Sequence, residues 1–263
     1  MRLDQAAIVL RPRGALGSGD LAFRFLFALR RRLWLALSAL VLAPALVLGI
    51  VLRYLLAWEW VALWTVAIAY GSVIQGLFCT AAGLLMFDRD VTLRAILVHY
   101  FRRAVPHAFA VAWTRVSSLL LLPLSGLGLY LWTRFTYVHE AVLLEHASIG
   151  RAGSRSADFS RGHLEDAFGV LLLLGGLNAL SAMLVEELGH GIEQLLLLPV
   201  HVESLWQAGG SVYALGGYLL SLPLCAVLRF LSYIDGRTRR DGWDIQVRFM
   251  ALASEAEARE AHS

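Results

Sequence analysis

Residues 229–248 read RFLSYIDGRTRRDGWDIQVR, and the break inside this stretch decides the fold. An apolar run that begins near Gly209 stops at Tyr233, and Arg237, Arg239 and Arg240 follow at once. Arginines at the end of such a run are costly to translocate and are drawn to anionic cytoplasmic headgroups, so they fix that end of a span in the cytoplasm. The same three arginines are the expected contacts for anionic lipid or a protein partner. The chain therefore reads as an all-α, polytopic transmembrane helix bundle whose other spans alternate back from the last one.

Composition agrees. Over 263 residues the chain is 58% hydrophobic and only 16% charged, too apolar for an ordinary soluble domain. All 23 basic residues are arginine, which points to a codon bias rather than to a function. Cys79 and Cys225 both lie in apolar runs, where thiols act as small hydrophobes and not as a disulfide or metal framework. No Ser/His/Asp set, phosphate-cradling glycine loop or nucleic-acid module is present in the sequence. Catalytic residues, cofactors and nucleic-acid partners are accordingly not expected.

Working outward from the last span, residues 234–263 form a cytoplasmic tail. Within it Trp243, Ile245, Val247 and Phe249 alternate with Asp244, Gln246 and Arg248, which predicts a short strand able to pair with Ala6 to Leu10. Residues 1–32 form a cytoplasmic segment with an amphipathic helix from Asp20. Phe23, Leu26 and Phe27 share its apolar face, set along the inner membrane surface. Spans follow at about 33–56 and 61–87, with Trp58, Trp60 and Trp64 as an interfacial belt. Residues 88–106, with Leu93, Ile96, Leu97 and Tyr100 at helical spacing, read as a cytoplasmic connecting helix.

The apolar stretch after His107 reads as one span or two, and charge decides. One span would put Arg151, Arg155, Arg161 and the C-terminal cluster outside, against the positive-inside tendency. Two spans, 107–123 and 127–144, leave Arg53, Arg115 and Arg134 within spans and no arginine in an external loop. With 167–185 and 209–233 this makes six spans, arranged as three hairpins with both termini inside. Glu186 to Ala208, rich in glutamate and free of arginine, is the one sizeable external segment.

Two groups carry candidate chemistry. Arg115, Arg134 and Glu140 lie within or beside the third and fourth spans, where a charge costs about 2.5 to 3.5 kcal/mol and so faces the bundle interior or finds a partner. An arginine paired with Glu140 is the expectation, as a structural ion pair before a solute pathway. Ser117, Ser118, Ser125, Gly126 and Gly128 nearby suit close packing or a broken helix. The second group is Glu186, Glu187, His190 and Glu193, with Glu187-x-x-His190 resembling one half of a carboxylate-bridged metal site. No second such motif occurs in the sequence, and Gly189 and Gly191 weaken a helix there. The preferred reading is an acidic, solvated loop with no metal.

VLRPRG (9–14), VLLE (142–145) followed by AGSRS (152–156), and YIDGRTRRDGWD (233–244) together resemble a broad family of bacterial inner-membrane proteins. It is related to the membrane domain attached to some glycerophosphodiester phosphodiesterases and to the YciC-like proteins. The resemblance implies topology and an inner-membrane location, and brings no catalytic residues. The phosphodiesterase barrel, which needs about 250 residues of its own, has no place here. A non-enzymatic scaffold or accessory subunit is therefore the expected function, in contact with an anionic bilayer and with membrane-protein partners. A small transporter or channel using Arg115, Arg134 and Glu140 is the alternative, and a metalloenzyme using Glu187 and His190 a second one.

Overall fold

A computed structural model describes residues 14–88, 90–124, 126–161, 164–197 and 202–241. In chain order the helices are α1 (Ala15–Ala28), α2 (Arg31–Tyr54), α3 (Trp60–Phe87), α4 (Leu93–Phe101), α5 (Ala104–Leu120), α6 (Leu127–Arg134), α7 (Val138–Leu143), α8 (Ile149–Ser160), α9 (Leu164–Leu195), α10 (Leu205–Ala208) and α11 (Val212–Asp241). The strand pairing expected between 243–249 and 6–10 lies outside the described residues.

Four of these helices, α2, α3, α9 and α11, are long and apolar enough to cross a membrane. In α11, 89% of the most apolar stretch is buried, against 17% in α2, 28% in α3 and 11% in α9, so α11 is the hub and the others expose apolar flanks. α9 lies against α11 at a close crossing. A Cβ on Gly217 would run into the Ser181 carbonyl, whose own hydroxyl donates to the Gly217 carbonyl at 2.7 Å. Small residues serve this purpose where two helices meet without water between them. α2 and α3 run antiparallel, with Trp34 stacked on Phe78 near one end and Arg53 over Trp60 near the other. Pro44 interrupts the hydrogen-bond ladder of α2, and Tyr70 of α3 donates to the Val41 carbonyl in that turn at 2.7 Å.

Apart from α10, which lies at the other end beside Glu186, the remaining helices gather at the end holding the N-terminus of α2 and the C-terminus of α11. α1 starts at Ala15, earlier than the cap expected at Asp20, and Asp20 instead pairs with Arg24 one turn on at 3.1 Å. It buries Ser18, Ala22 and Phe25 and leaves the stacked rings of Phe23 and Phe27 outward, the apolar face read from the sequence. α4 is capped by the Thr92 hydroxyl, which accepts from the Ala95 N–H, and it buries Ile96 and Tyr100.

Where spans three and four were expected, the structure holds α5 with 17 residues, then α6 and α7 with 8 and 6, broken at residues 135–137. A span needs about 20 residues, with a range of roughly 17 to 25; α5 lies at the lower limit, and α6 and α7 are each far shorter. Gly128 lets α6 fold tightly back, since a Cβ there would meet the backbone of Ser118 and Leu122.

Two expected boundaries also move. α9 continues through Glu186 to Leu195, so the first part of the predicted external loop is helix. Gly189 does not break it, because that glycine gives the Tyr213 ring its place, and a Cβ would collide with the ring. α11 runs to Asp241, past the expected end of the span at 233, and carries Arg237, Arg239 and Arg240 on its last turns.

Candidate functional site

Glu140 is fully buried on α7, and its partner is Arg229 of α11, with side-chain exposures of 0% and 3% and Nε to Oε1 at 3.1 Å. The pair expected from the sequence therefore exists, with a different arginine. Arg229 also donates from Nη1 to Gln75 Oε1 of α3 at 2.6 Å, and the Cys79 thiol lies 3.5 Å from Glu140 Oε1. Three helices thus converge on one carboxylate. A charge removed from water in this way is tolerated only when paired and hydrogen-bonded, and removing one partner strands the other.

His139, the neighbour of Glu140, is also fully buried, and its Nδ1 meets Nε2 of buried His107 on α5 at 3.0 Å. Gly76 of α3 leaves room for the His107 ring, which a Cβ would strike. Several polar atoms of this cluster have no partner among the described residues: Glu140 Oε2, Arg229 Nη2, His107 Nδ1, His139 Nε2 and Arg115 Nη1. Buried groups of this kind are normally met by ordered water or a small polar ligand.

The other sequence candidates fall nearby, without joining the pair. Arg115 is half-buried, with its guanidinium carbon 4.8 Å from the Trp132 ring centroid. Arg134 donates to the Tyr130 hydroxyl at 2.8 Å and to the Ala157 carbonyl at 3.0 Å, tying α6 to α8. Neither makes an ion pair with Glu140 among the described residues. The lower part of the cluster continues along α11. Tyr233 and Arg237, one and two turns beyond Arg229, both donate to Glu145 Oε1 at 2.5 Å, and Arg155 donates to Oε2 at 2.5 Å. Burial by itself would raise the Glu145 carboxyl, but the hydrogen bonds from Arg155 and Tyr233 and the two guanidinium charges hold it below the usual carboxylate range. For Arg239 and Arg240 the helix is described and their side chains are not.

The acidic group of α9 sits at the opposite end of the bundle. Glu186 is 1% exposed; its Oε1 accepts from the Leu205 N–H at 2.7 Å and its Oε2 from the Ser211 hydroxyl. His190 faces Glu186 Oε1 at 3.2 Å with Nε2 and Glu193 Oε2 at 3.0 Å with Nδ1, and Tyr213 donates to Glu193 Oε1 at 2.8 Å. Glu187 is not part of this set; it accepts from the Trp206 indole at 3.3 Å. The predicted solvated loop is thus replaced by a bonded cluster, because the helix carries Glu186 and Glu193 inward against α11. Both ring nitrogens of His190 already face carboxylates. Among the described residues no group of three or more His, Cys, Asp or Glu side chains is arranged to hold a metal ion. Beside it Arg53 donates from Nε and Nη2 to the two oxygens of Glu203, at 2.8 and 2.5 Å, and Trp60 donates to the same carboxylate at 2.8 Å. The hydrogen bond from Arg53 outweighs burial, which by itself would raise the Glu203 carboxyl, and with the lesser effects of the Trp60 hydrogen bond and the Arg53 charge it holds the group below its ordinary range.

Arg229 lay inside the expected span 209–233 and was given no role there, and Gln75, His107 and His139 were likewise not among the candidates read from the sequence. A signal was available for the first. Arg229, Tyr233 and Arg237 recur every fourth residue and so share one helical face, and Glu140 and Glu145 lie at matching distance on the segment opposite. Comparison with known protein families, with characterised proteins and with solved structures finds no match to this chain.

Two outcomes are expected. E140Q and R229Q should each destabilise the detergent-solubilised protein by about 3 kcal/mol or more, the cost of stranding one buried charge. The double substitution should cost clearly less than the sum, read as a thermal-unfolding double-mutant cycle. At the other end, a carboxylate with a depressed folded pKa adds stability that is present above its unfolded value of about 4.3 and is lost as pH falls through the lower folded value. Wild type should therefore melt above E203Q at pH 7, and the gap should close below about pH 4. A gap independent of pH would assign Glu203 a role that does not depend on its charge.

Proposed function

We propose that the chain is a multi-pass protein of a bacterial cytoplasmic membrane that acts without chemistry of its own, as a scaffold or accessory subunit. The observation that supports this most is where the polar residues are spent. The buried pair ties α7 to α11 and α3, Glu145 ties α8 to α11, and Arg134 ties α6 to α8, so the conspicuous charges hold a layer of short helices in place. The outward side of that layer carries exposed arginines, among them Arg94, Arg102 and Arg151.

In this reading α2, α3, α9 and α11 cross the bilayer, while α5 and α6–α7 enter the layer and do not cross. From Trp34 to Arg53 along α2 is about 28 Å at 1.5 Å per residue, close to the hydrocarbon thickness of about 30 Å. Phe78 stacks on Trp34, so Cys79 and the Arg229–Glu140 pair next to it fall near the arginine-rich interface and not at the bilayer centre. The outward stripe of α5, Val105, Phe109, Trp113, Val116 and Leu120, is 52 to 73% exposed and suits a helix lying in that interface. The crossings drop from the six expected in three hairpins to four. Both numbers are even, so both termini stay on one side, and the arginine bias makes that side the cytoplasm. The motif resemblance to the bacterial inner-membrane family supports the same location, and the partners are anionic lipid and other membrane proteins.

A second reading, a small transporter or channel, draws on the unpartnered atoms around Glu140, Arg229 and Arg115, because intramembrane ionisable groups commonly mark solute or proton paths. One comparison separates the two. Cross-linking in native membranes should retain protein partners with the wild type and lose them several-fold with R94E/R102E. Solute or proton flux by the purified chain in proteoliposomes, abolished by the E140Q/R229Q double variant while the protein stays folded, would replace the scaffold reading with transport.

A further inference from the structure

We propose that the cleft between α8 and the last turns of α11 binds a phosphate group, a property that does not depend on the scaffold reading. The cleft has a volume of about 670 Å³, within the range of small-molecule sites. One wall is a single face of α8, where Arg151, Ser154, Arg155 and Asp158 recur at helical spacing, and the other is formed by Arg237 of α11 and the end of α7 at Glu145. The packing face of α8 is a different one, with Ala152, Ser156 and Ser160 buried.

Charge and hydrogen bonding select the ligand. Three arginines face two carboxylates, and each carboxylate is already committed. Glu145, 14% exposed, takes Arg155, Arg237 and Tyr233, while Asp158 takes Arg161 at 3.1 Å. Glu145 thereby acts as a brace that holds two guanidinium groups at the cleft. Arg155 spends only Nε on it, and Arg151 spends only Nε, on the Ser148 hydroxyl at 3.3 Å. The terminal amino groups of both make no hydrogen bond among the described residues. The guanidinium groups of Arg151 and Arg155, one turn apart on α8 and faced by the charge of Arg237 across the cleft, match an oxyanion with several acceptor oxygens, and phosphate is the group for which arginine is best suited. Both a phospholipid headgroup and a soluble phosphate ester would supply it.

The test uses the full chain in neutral detergent, with the melting temperature followed while dioleoylphosphatidylglycerol, dioleoylphosphatidylcholine or glycerol 3-phosphate is added at constant ionic strength. Phosphatidylglycerol is expected to stabilise the protein saturably, and R151Q, which leaves every Glu145 contact intact, should weaken its apparent affinity at least tenfold. R94Q/R102Q, which removes the same kind of charge away from the cleft, should not. Stabilisation by the anionic lipid alone assigns the site to a headgroup, and stabilisation by glycerol 3-phosphate as well assigns it to phosphate from either source. No saturable stabilisation by either ligand, or equal loss in R151Q and R94Q/R102Q, would overturn the proposal.

Discussion

The ion pair between Arg229 and Glu140 is the constraint on which the rest of the structure depends. α7 has only six residues, too few to hold a helix by its own hydrogen bonds, yet every one of them is buried. It stays in place because Glu140 anchors it to the central helix and Glu145, at its exit, anchors it again one turn further down. The two anchors set where α6 and α8 attach on either side, and through them the whole arginine-rich layer. An ion pair of this kind is a weak source of net stability, since desolvation offsets most of the attraction. Its value here is positional: only one register of α7 on α11 satisfies both carboxylates.

The two ends of the bundle use opposite chemistry for the same purpose. At the arginine-rich end, carboxylates from the short helices collect guanidinium groups from α8 and α11. At the other end, carboxylates of α9 collect a backbone N–H, hydroxyls and an imidazole, and Glu203 joins the loop before α10 to Arg53 and Trp60. Long apolar helices slide easily past one another in a medium as apolar as themselves, because burial gains little there. Polar ties at both ends remove that freedom.

The four long helices were legible in the sequence because a predominantly apolar run of about 20 residues has few other uses. The short helices were not. The outward residues of α5, such as Phe109, Trp113 and Leu120, are as apolar as those of a span, while its inner face carries His107, Thr114 and Ser118. Summed along the chain, the two faces look like a crossing segment, whereas in the structure the run is divided among α5, α6 and α7. Arg229 was hidden for a related reason: a lone arginine inside the apolar run 209–233 gives no sign of its partner, which lies 89 residues away in the chain. At Glu186 to Glu193 the glycines were read as helix breakers, whereas Gly189 marks the place where Tyr213 presses against the helix.

The count of crossings is the most direct test of this account, and the turn between α5 and α6 decides it. A single cysteine at Leu124, in a chain with Cys79 and Cys225 replaced, should react with a membrane-impermeant maleimide only after the cytoplasmic face is opened, as a cysteine at Arg161 should. A cysteine at Leu197 should react from outside. Labelling of the Leu124 cysteine from outside, in intact cells, would restore six crossings and contradict the layer of short helices on which the rest is built.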